Sequence, residues 1–284
     1  MSLVTRTTGP HLFAGAVAGA DWQTPDMHAR SALFDVYGDH LRARDDQAPV
    51  AALVRLLEPV GIAAPAVRTA ISRMVMQGWL EATHLDTGRG YRATARAVRR
   101  VDEAGERIYG SEARAWDGSW QLVFVAPPAA RAARARLRAD LAFVGYAELA
   151  DNVWVSPRAR AELGFLLDRA GAGASTARAV DFLPPPVDAW DLGGLRTAYT
   201  RWLETAPRLV ADHLTAHDDP DRAAFAARFH LVHEWRKFLF ADPGLPAELL
   251  PEDWPGGPAA ELFAHEAERL RPGSDRFLAS CLGG

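Results

Sequence analysis

Apolar residues three and four apart mark the first regular stretch of the chain. Leu33, Val36, Tyr37 and Leu41 recur at helical spacing and predict one helix over about 28–44. Val50, Leu53, Val54 and Leu57 repeat the pattern after Pro49, a residue suited to a first helical turn. Pro59 and Gly61 stop that second helix. A third runs from Pro65 to about Gln77, with an apolar stripe of Val67, Ala70, Ile71, Met74 and Val75. Its other face carries Arg68, Thr69, Ser72 and Arg73, with Gln77 one turn on. The stretches 79–85 and 91–94 read as strands flanking the Gly-rich turn 86–90, and a further helix leads to about 110. Helix, turn, helix, hairpin is the order of a winged helix.

The second block is patterned differently. Residues 120–126 form an apolar run of strand length, 129–143 read as a helix, and 146–150 and 152–156 as a hairpin. Pro157 opens another helix to about Ala170. Pro184, Pro185 and Pro186 cannot continue a helix and mark a boundary. Beyond it, Leu192, Leu195, Tyr199 and Trp202 make one helical stripe. A helix over 221–240 carries Phe225, Phe229, Leu231, Val232, Trp235, Phe238 and Leu239, apolar on nearly every side and therefore buried. His230, His233, Glu234, Arg236 and Lys237 are set among them and need partners.

Composition narrows the class. The 284 residues are 49% hydrophobic and 24% charged, as in globular domains. No apolar run reaches the roughly 18 residues a spanning helix needs, so no membrane partner is expected. Cys281 is the only cysteine, which excludes an internal disulfide and suits a cytoplasmic protein. Residues 1–27 hold Arg6 and an apolar stretch that Gly15 and Gly19 interrupt; they read as a flexible extension rather than a secretory signal. The net charge of −4 opposes nucleic-acid binding by the chain as a whole. Between Pro65 and Arg100, however, seven arginines (68, 73, 89, 92, 96, 99 and 100) face only Glu81 and Asp86, a local excess of +5.

That excess gives the third helix its reading. Arginine bonds guanine bidentately, hydroxyls suit phosphates and base edges, and a helix N-terminus favours phosphate. Arg68, Thr69, Ser72 and Arg73 are therefore the candidate DNA-reading residues, and Arg89 and Arg92 the candidate backbone contacts of the hairpin. No P-loop, dinucleotide-binding glycine pattern, nucleophile elbow or H-E-x-x-H pair is present, so neither an enzyme with catalytic residues nor a cofactor is expected. His213 and His217 stand four apart near Asp212 and Asp218, but no third ligand is indicated and no metal is expected.

Three stretches carry a family resemblance: residues 66–80, the pair 107–110 and 116–120, and the Pro-rich segment 242–256. Over about 28–270 the chain resembles the PaaX-type repressors of phenylacetic acid catabolism. The resemblance implies an α+β multidomain fold. It consists of a winged helix (28–110), a central ferredoxin-like α/β domain (111–183) and a helical C-terminal dimerisation or effector domain (187–284). The βαββα order of the second block suits the middle one. It further implies a homodimer on a palindromic DNA operator, released by an aryl-CoA or acyl-CoA thioester. His230, His233, Trp235 and Arg236 are then the candidate effector contacts, with Arg236 meeting an effector phosphate, Asp242 or Glu234. A regulator without a CoA effector is the first alternative. The second is an RNA-binding protein or ribonuclease, although the first strand of the central block ends without a metal-holding carboxylate.

Overall fold

The computed structural model describes residues 28–85, 88–98 and 116–283, the side chains of Ala43, Leu239 and Phe240 excepted. The N-terminal extension, Asp86 of the turn, Arg99, Arg100 and the 107–110 motif lie outside the described residues. The chain divides into two compact units. Among the described residues, one comprises those from 28 to 98, 196–239 and 255–283; the other comprises 116–195 and 240–254.

In the first of these, the helix expected over 28–44 is broken. α1 covers Ala29–Asp35, a π-helical turn Val36–His40 follows, and a 3₁₀ turn takes Arg42–Arg44. Asp45 and Asp46 then adopt left-handed conformations (φ 55° and 52°) and reverse the chain. Aspartate tolerates that region better than most residues. The reversal delivers β1 (Gln47–Pro49), which the sequence pattern does not show. Three residues carry no readable alternation; the pairing with β3 makes them a strand, Ala48 opposite Tyr91.

α2 (Val50–Leu57) and α3 (Ala64–Met76) follow, joined by a turn in which Gly61 takes φ 80°. α3 closes in a Schellman arrangement at Gly78: Gly78 N–H donates to Val75 and Trp79 N–H to Met74. β2 (Leu80–Leu85) and β3 (Gly88–Ala93) complete an antiparallel sheet of order β1–β3–β2. Thr94 then accepts from Ala97 N–H as a helical turn begins at Ala95.

The second unit is built as β4 (Trp120–Ala126), α4 (Arg131–Phe143), β5 (Ala147–Ala150), β6 (Val153–Ser156), α5 (Leu163–Ala170) and β7 (Gly173–Ala179). The sheet order is β5–β6–β4–β7, every pair antiparallel. One sheet face packs Val123, Val125 and Trp154 against Leu137 and Leu141 of α4 and Leu163 and Leu166 of α5. The other buries Trp120, Ala147 and Val155 beneath Trp116, Phe182 and Trp190. Two expectations are corrected. α5 starts at Leu163 rather than Pro157, because the chain first makes an irregular loop over 157–162. β7 is an added edge strand of small and polar residues, which carries no apolar alternation to announce it.

The C-terminal segment is helical: α6 (Leu192–Thr215), α7 (Pro220–Trp235), the short α8 (Phe238–Ala241) and α9 (Gly256–Leu282). Asp219 caps α7 by accepting from Asp221 N–H at 2.9 Å. The helix expected over 221–240 thus ends at Trp235, where Arg236 and Lys237 make a turn. α7 and α9 approach closely: a Cβ at Gly273 would stand 2.7 Å from Ala224 Cβ. Phe225, Phe229, Phe277 and Leu278 share one core with Leu33, Leu53, Ile71 and Met74. Among the described residues no helix is long and apolar enough to cross a membrane.

Candidate nucleic-acid interface

α3 is held by its stripe. Val67, Ala70, Ile71 and Met74 are buried and Val75 half-buried, while Arg68, Thr69, Ser72, Arg73 and Gln77 are exposed. The structure therefore gathers the four candidate reading residues of this helix on one solvent face. The two hydroxyls are partly engaged. Thr69 Oγ1 donates to Pro65 O at 2.9 Å and Ser72 Oγ to Arg68 O at 3.1 Å. Their protons are spent on the helix, so in this rotamer each offers lone pairs outward. Neither Arg68 nor Arg73 forms an ion pair with a described residue. Ala63 and Ala64 give the helix no side-chain cap, and no carboxylate sits in its first turn. Pro65 has no N–H, Ala66 and Val67 N–H donate to Ala63 O at 2.9 and 3.1 Å, and the positive end of the helix dipole carries no side-chain acceptor.

The hairpin separates its two arginines. Tyr91 and Ala93 face the core, and Tyr91 O accepts from Tyr37 Oη at 2.9 Å. Arg89 has the parity of Tyr91 and lies over its ring at 5.6 Å, beyond the edge of the core. Arg92 points to the opposite face and donates to Gln47 Oε1 at 2.8 Å. The pair therefore addresses two sides of the hairpin. Gly90 between them is required by space: a Cβ there would stand 2.5 Å from Leu85 Cδ1 and 2.9 Å from Ala48 O. Arg96 adds a further cation, stacked over Trp79 at 4.2 Å.

The candidate effector residues are drawn into the protein's own contacts. Arg236 pairs with Asp35 at the end of α1, not with Asp242 or Glu234, because the turn after Trp235 aims it back across the core. His233 Nδ1 lies 2.7 Å from the same carboxylate. Trp235 is buried, its ring 4.8 Å from Phe263 and 4.9 Å from Trp202. His230 stacks on His213 at 3.9 Å, and burial, with help from His213 and His233, pushes its pKa down to about 3. The hollow beside Glu234, among Trp202, Thr205 and Leu231, holds only about 40 Å³. His213 and His217 do not share a helical face, since α6 ends at Thr215 and His217 Nε2 turns to Pro59 O at 3.2 Å.

This junction was missed in the sequence. Asp35 and Asp39, four apart on the first helical segment, are the residues that receive α7: Asp35 takes His233 and Arg236, and Asp39 takes Arg228. His40 is buried between them and α7, its ring 4.9 Å from Phe225, and burial pushes its pKa down to about 4. Arg222 reaches Glu58 at the end of α2. The available signal was two acidic residues at helical spacing, on a segment that also carries the apolar Leu33, Phe34, Val36 and Tyr37.

Comparison with known proteins defines the class. Three family models match in chain order. They are the PaaX-like protein model over 28–97, the PaaX protein central Cas2-like domain over 113–176, and the PaaX-like protein C-terminal domain over 190–280. The chain belongs to the PaaX-like family, a family of transcriptional regulators rather than of enzymes. It is 28% identical over 266 residues to the transcriptional repressor PaaX of Escherichia coli (strain K12), covering 88% of this chain and 82% of that one. It is also similar to a solved structure, the uncharacterized protein Rv0674 from Mycobacterium tuberculosis. The TM-score is 0.58 at 28% identity, over 88% of this chain and 98% of that one.

Proposed function

We propose that the chain is a DNA-binding transcriptional repressor whose first segment is a winged helix. The observation that carries this reading is the exposed face of α3, where Arg68, Thr69, Ser72 and Arg73 stand together over a buried stripe. α3 enters the major groove, its arginines bonding base edges or phosphates, and Arg89 and Arg92 reach the sugar-phosphate backbone from the hairpin. The family models support a division of labour along the chain. Residues 28–110 read DNA, 111–183 form the ferredoxin-like middle, and 187–284 serve dimerisation and sensing. A homodimer places two reading helices on the half-sites of a palindromic operator.

Release by an aryl-CoA or acyl-CoA belongs to the same reading. A ligand shifts DNA affinity only by binding the two states of the protein differently. His233 and Arg236 sit where α7 meets α1, and His230 and Trp235 pack the same end of α7 against α6 and α9, so a ligand that moves this end of α7 changes the support of the reading head. A mobility-shift titration with the DNA upstream of the protein's own gene tests the proposal. Saturable, salt-sensitive retardation relieved by a CoA thioester supports it. Equal affinity for unrelated DNA at 150 mM salt contradicts sequence-specific repression. Preferential binding of RNA overturns the DNA reading.

A further inference from the structure

One large side chain on the solvent face of α3 is apolar. Met76 is 79% exposed, whereas Met74, two residues before it, is 1% exposed. Met76 follows Thr69 by seven residues, and a helix drifts only about 20° over that interval. The two side chains therefore lie almost on one line along the helix, opposite the buried stripe of Val67, Ile71 and Met74. Ser72 and Arg73, four and three residues before Met76, are its neighbours on that face.

The polar stretch of the helix reaches as far as Met76. The first turn, Ala64–Val67, carries no polar side chain; the exposed polar residues begin at Arg68 and continue to Gln77. A further cation is fixed at the end of the helix. The Arg96 guanidinium lies over the Trp79 ring at 4.2 Å, and its Nη1 donates to Gln77 O at 3.5 Å. Met76 thus has Arg73 one turn before it and Arg96 held at the carbonyl of the residue after it.

A thioether chain has no donor and only a weak acceptor, so it cannot read the hydrogen-bonding groups of a base or hold a phosphate. In the major groove the apolar group that a base pair presents is the C5 methyl of thymine. An unbranched chain with three rotatable bonds adapts readily to such a contact.

We propose that Met76 is a sequence-determining residue of α3, packing its thioether against a thymine methyl in the major groove. This rests on the reading of α3 as the DNA-binding helix and names a base that the helix prefers. The arginines supply charge and hydrogen bonds; Met76 supplies discrimination by an apolar contact.

The test starts from a pool of random-sequence duplexes, selected separately with the full-length wild-type chain and with Met76→Ala. Both are expected to enrich the same sequence, except that the variant loses the preference for thymine at one position. Fluorescence anisotropy then compares the selected duplex with one carrying uracil at that thymine, at constant salt. Uracil keeps every hydrogen-bonding group of thymine and lacks only the methyl. Wild type is expected to bind the uracil duplex about fourfold more weakly, the equivalent of roughly 0.8 kcal/mol for one buried methyl-sized group. Met76→Ala binds both duplexes within twofold of each other, and Met76→Leu, which keeps apolar bulk, restores the preference for thymine. Wild type indifferent to uracil at every selected thymine overturns this inference alone, as does the same preference in Met76→Ala. A Met76→Ala chain that changes oligomeric state and keeps its thymine preference assigns the side chain to a protein contact and likewise overturns it. Failure of the wild-type chain to enrich any sequence overturns both this inference and the DNA-binding function on which it rests.

Discussion

The Arg228 guanidinium grips the Asp39 carboxylate through both terminal nitrogens, with Nη2 3.1 Å from Oδ1. Its Nε donates to Ala267 O at 3.2 Å, so one side chain ties the N-terminal segment to both α7 and α9. The side chains are only 5% and 10% exposed, which places this pair among buried ion pairs rather than surface ones. Breaking such a pair strands a charge and costs about 3–5 kcal/mol. Asp39→Asn is expected to lower the urea-unfolding free energy by about 3 kcal/mol. Replacing both partners by apolar residues of similar volume recovers much of that loss. A change below about 0.5 kcal/mol in the single variant contradicts the role given to the pair.

Histidine burial predicts how stability depends on pH. His40 and His230 have pKa values pushed down to about 4 and about 3, in both cases by burial first. In the unfolded chain each titrates near 6.5. Below that pH the unfolded state binds protons that the folded state refuses, so stability falls as the solution is acidified. The loss begins near pH 6.5 and continues toward the folded values, at roughly 1 kcal/mol per pH unit for each histidine. Denaturation curves at pH 7.5, 6.0 and 5.0 check this. Gln in place of His40 flattens the dependence; an unchanged slope contradicts the assignment.

Gly90 lies at the centre of the small sheet, between Pro49 and Thr83. A Cβ there meets a backbone oxygen, Ala48 O, which cannot swing away as Leu85 can. Gly90→Ala is expected to cost about 1–3 kcal/mol, the usual range for overpacking, and to loosen the hairpin that carries Arg89 and Arg92. Amide exchange in β1 and β3 reports it directly, and unaltered protection there counts against the packing argument.

The exposed hydroxyls make a finer test. Thr69 and Ser72 spend their protons on Pro65 O and Arg68 O. Replacing either by Ala is expected to change helix stability by less than about 0.5 kcal/mol, as for surface substitutions generally. Loss of DNA affinity in those variants then measures acceptance of a bond from the DNA partner or water, not helix damage. Circular dichroism and DNA titration on the same samples separate the two.

α3 was legible because its stripe is local. Val67, Ala70, Ile71 and Met74 recur at helical period, and the same spacing sorts Arg68 and Arg73 to the outside. β1 was not legible, since Gln47–Pro49 is a strand only by virtue of β3, some forty residues on. β7 escaped for a related reason: an edge strand of Gly, Ala, Ser and Thr buries little and leaves no alternation. The breaks in the first helix and after Trp235 fall where side chains turn toward partners distant in sequence, Asp35 and Asp39 toward Arg236 and Arg228. Periodicity registers which residues are apolar, not which charge meets which. For that reason the sequence offered Arg236 an effector phosphate, Asp242 or Glu234, and had no means of choosing Asp35.

The central claim is that α3 reads DNA, and fluorescence anisotropy with a labelled upstream fragment tests it most directly. Each good arginine contact to a base is worth roughly 1–3 kcal/mol. The folded Arg68→Ala/Arg73→Ala variant is therefore expected to bind about 3 kcal/mol more weakly, roughly 150-fold, with a shallower salt dependence. Wild-type affinity in that variant, with its helix content and unfolding midpoint unchanged, contradicts the account.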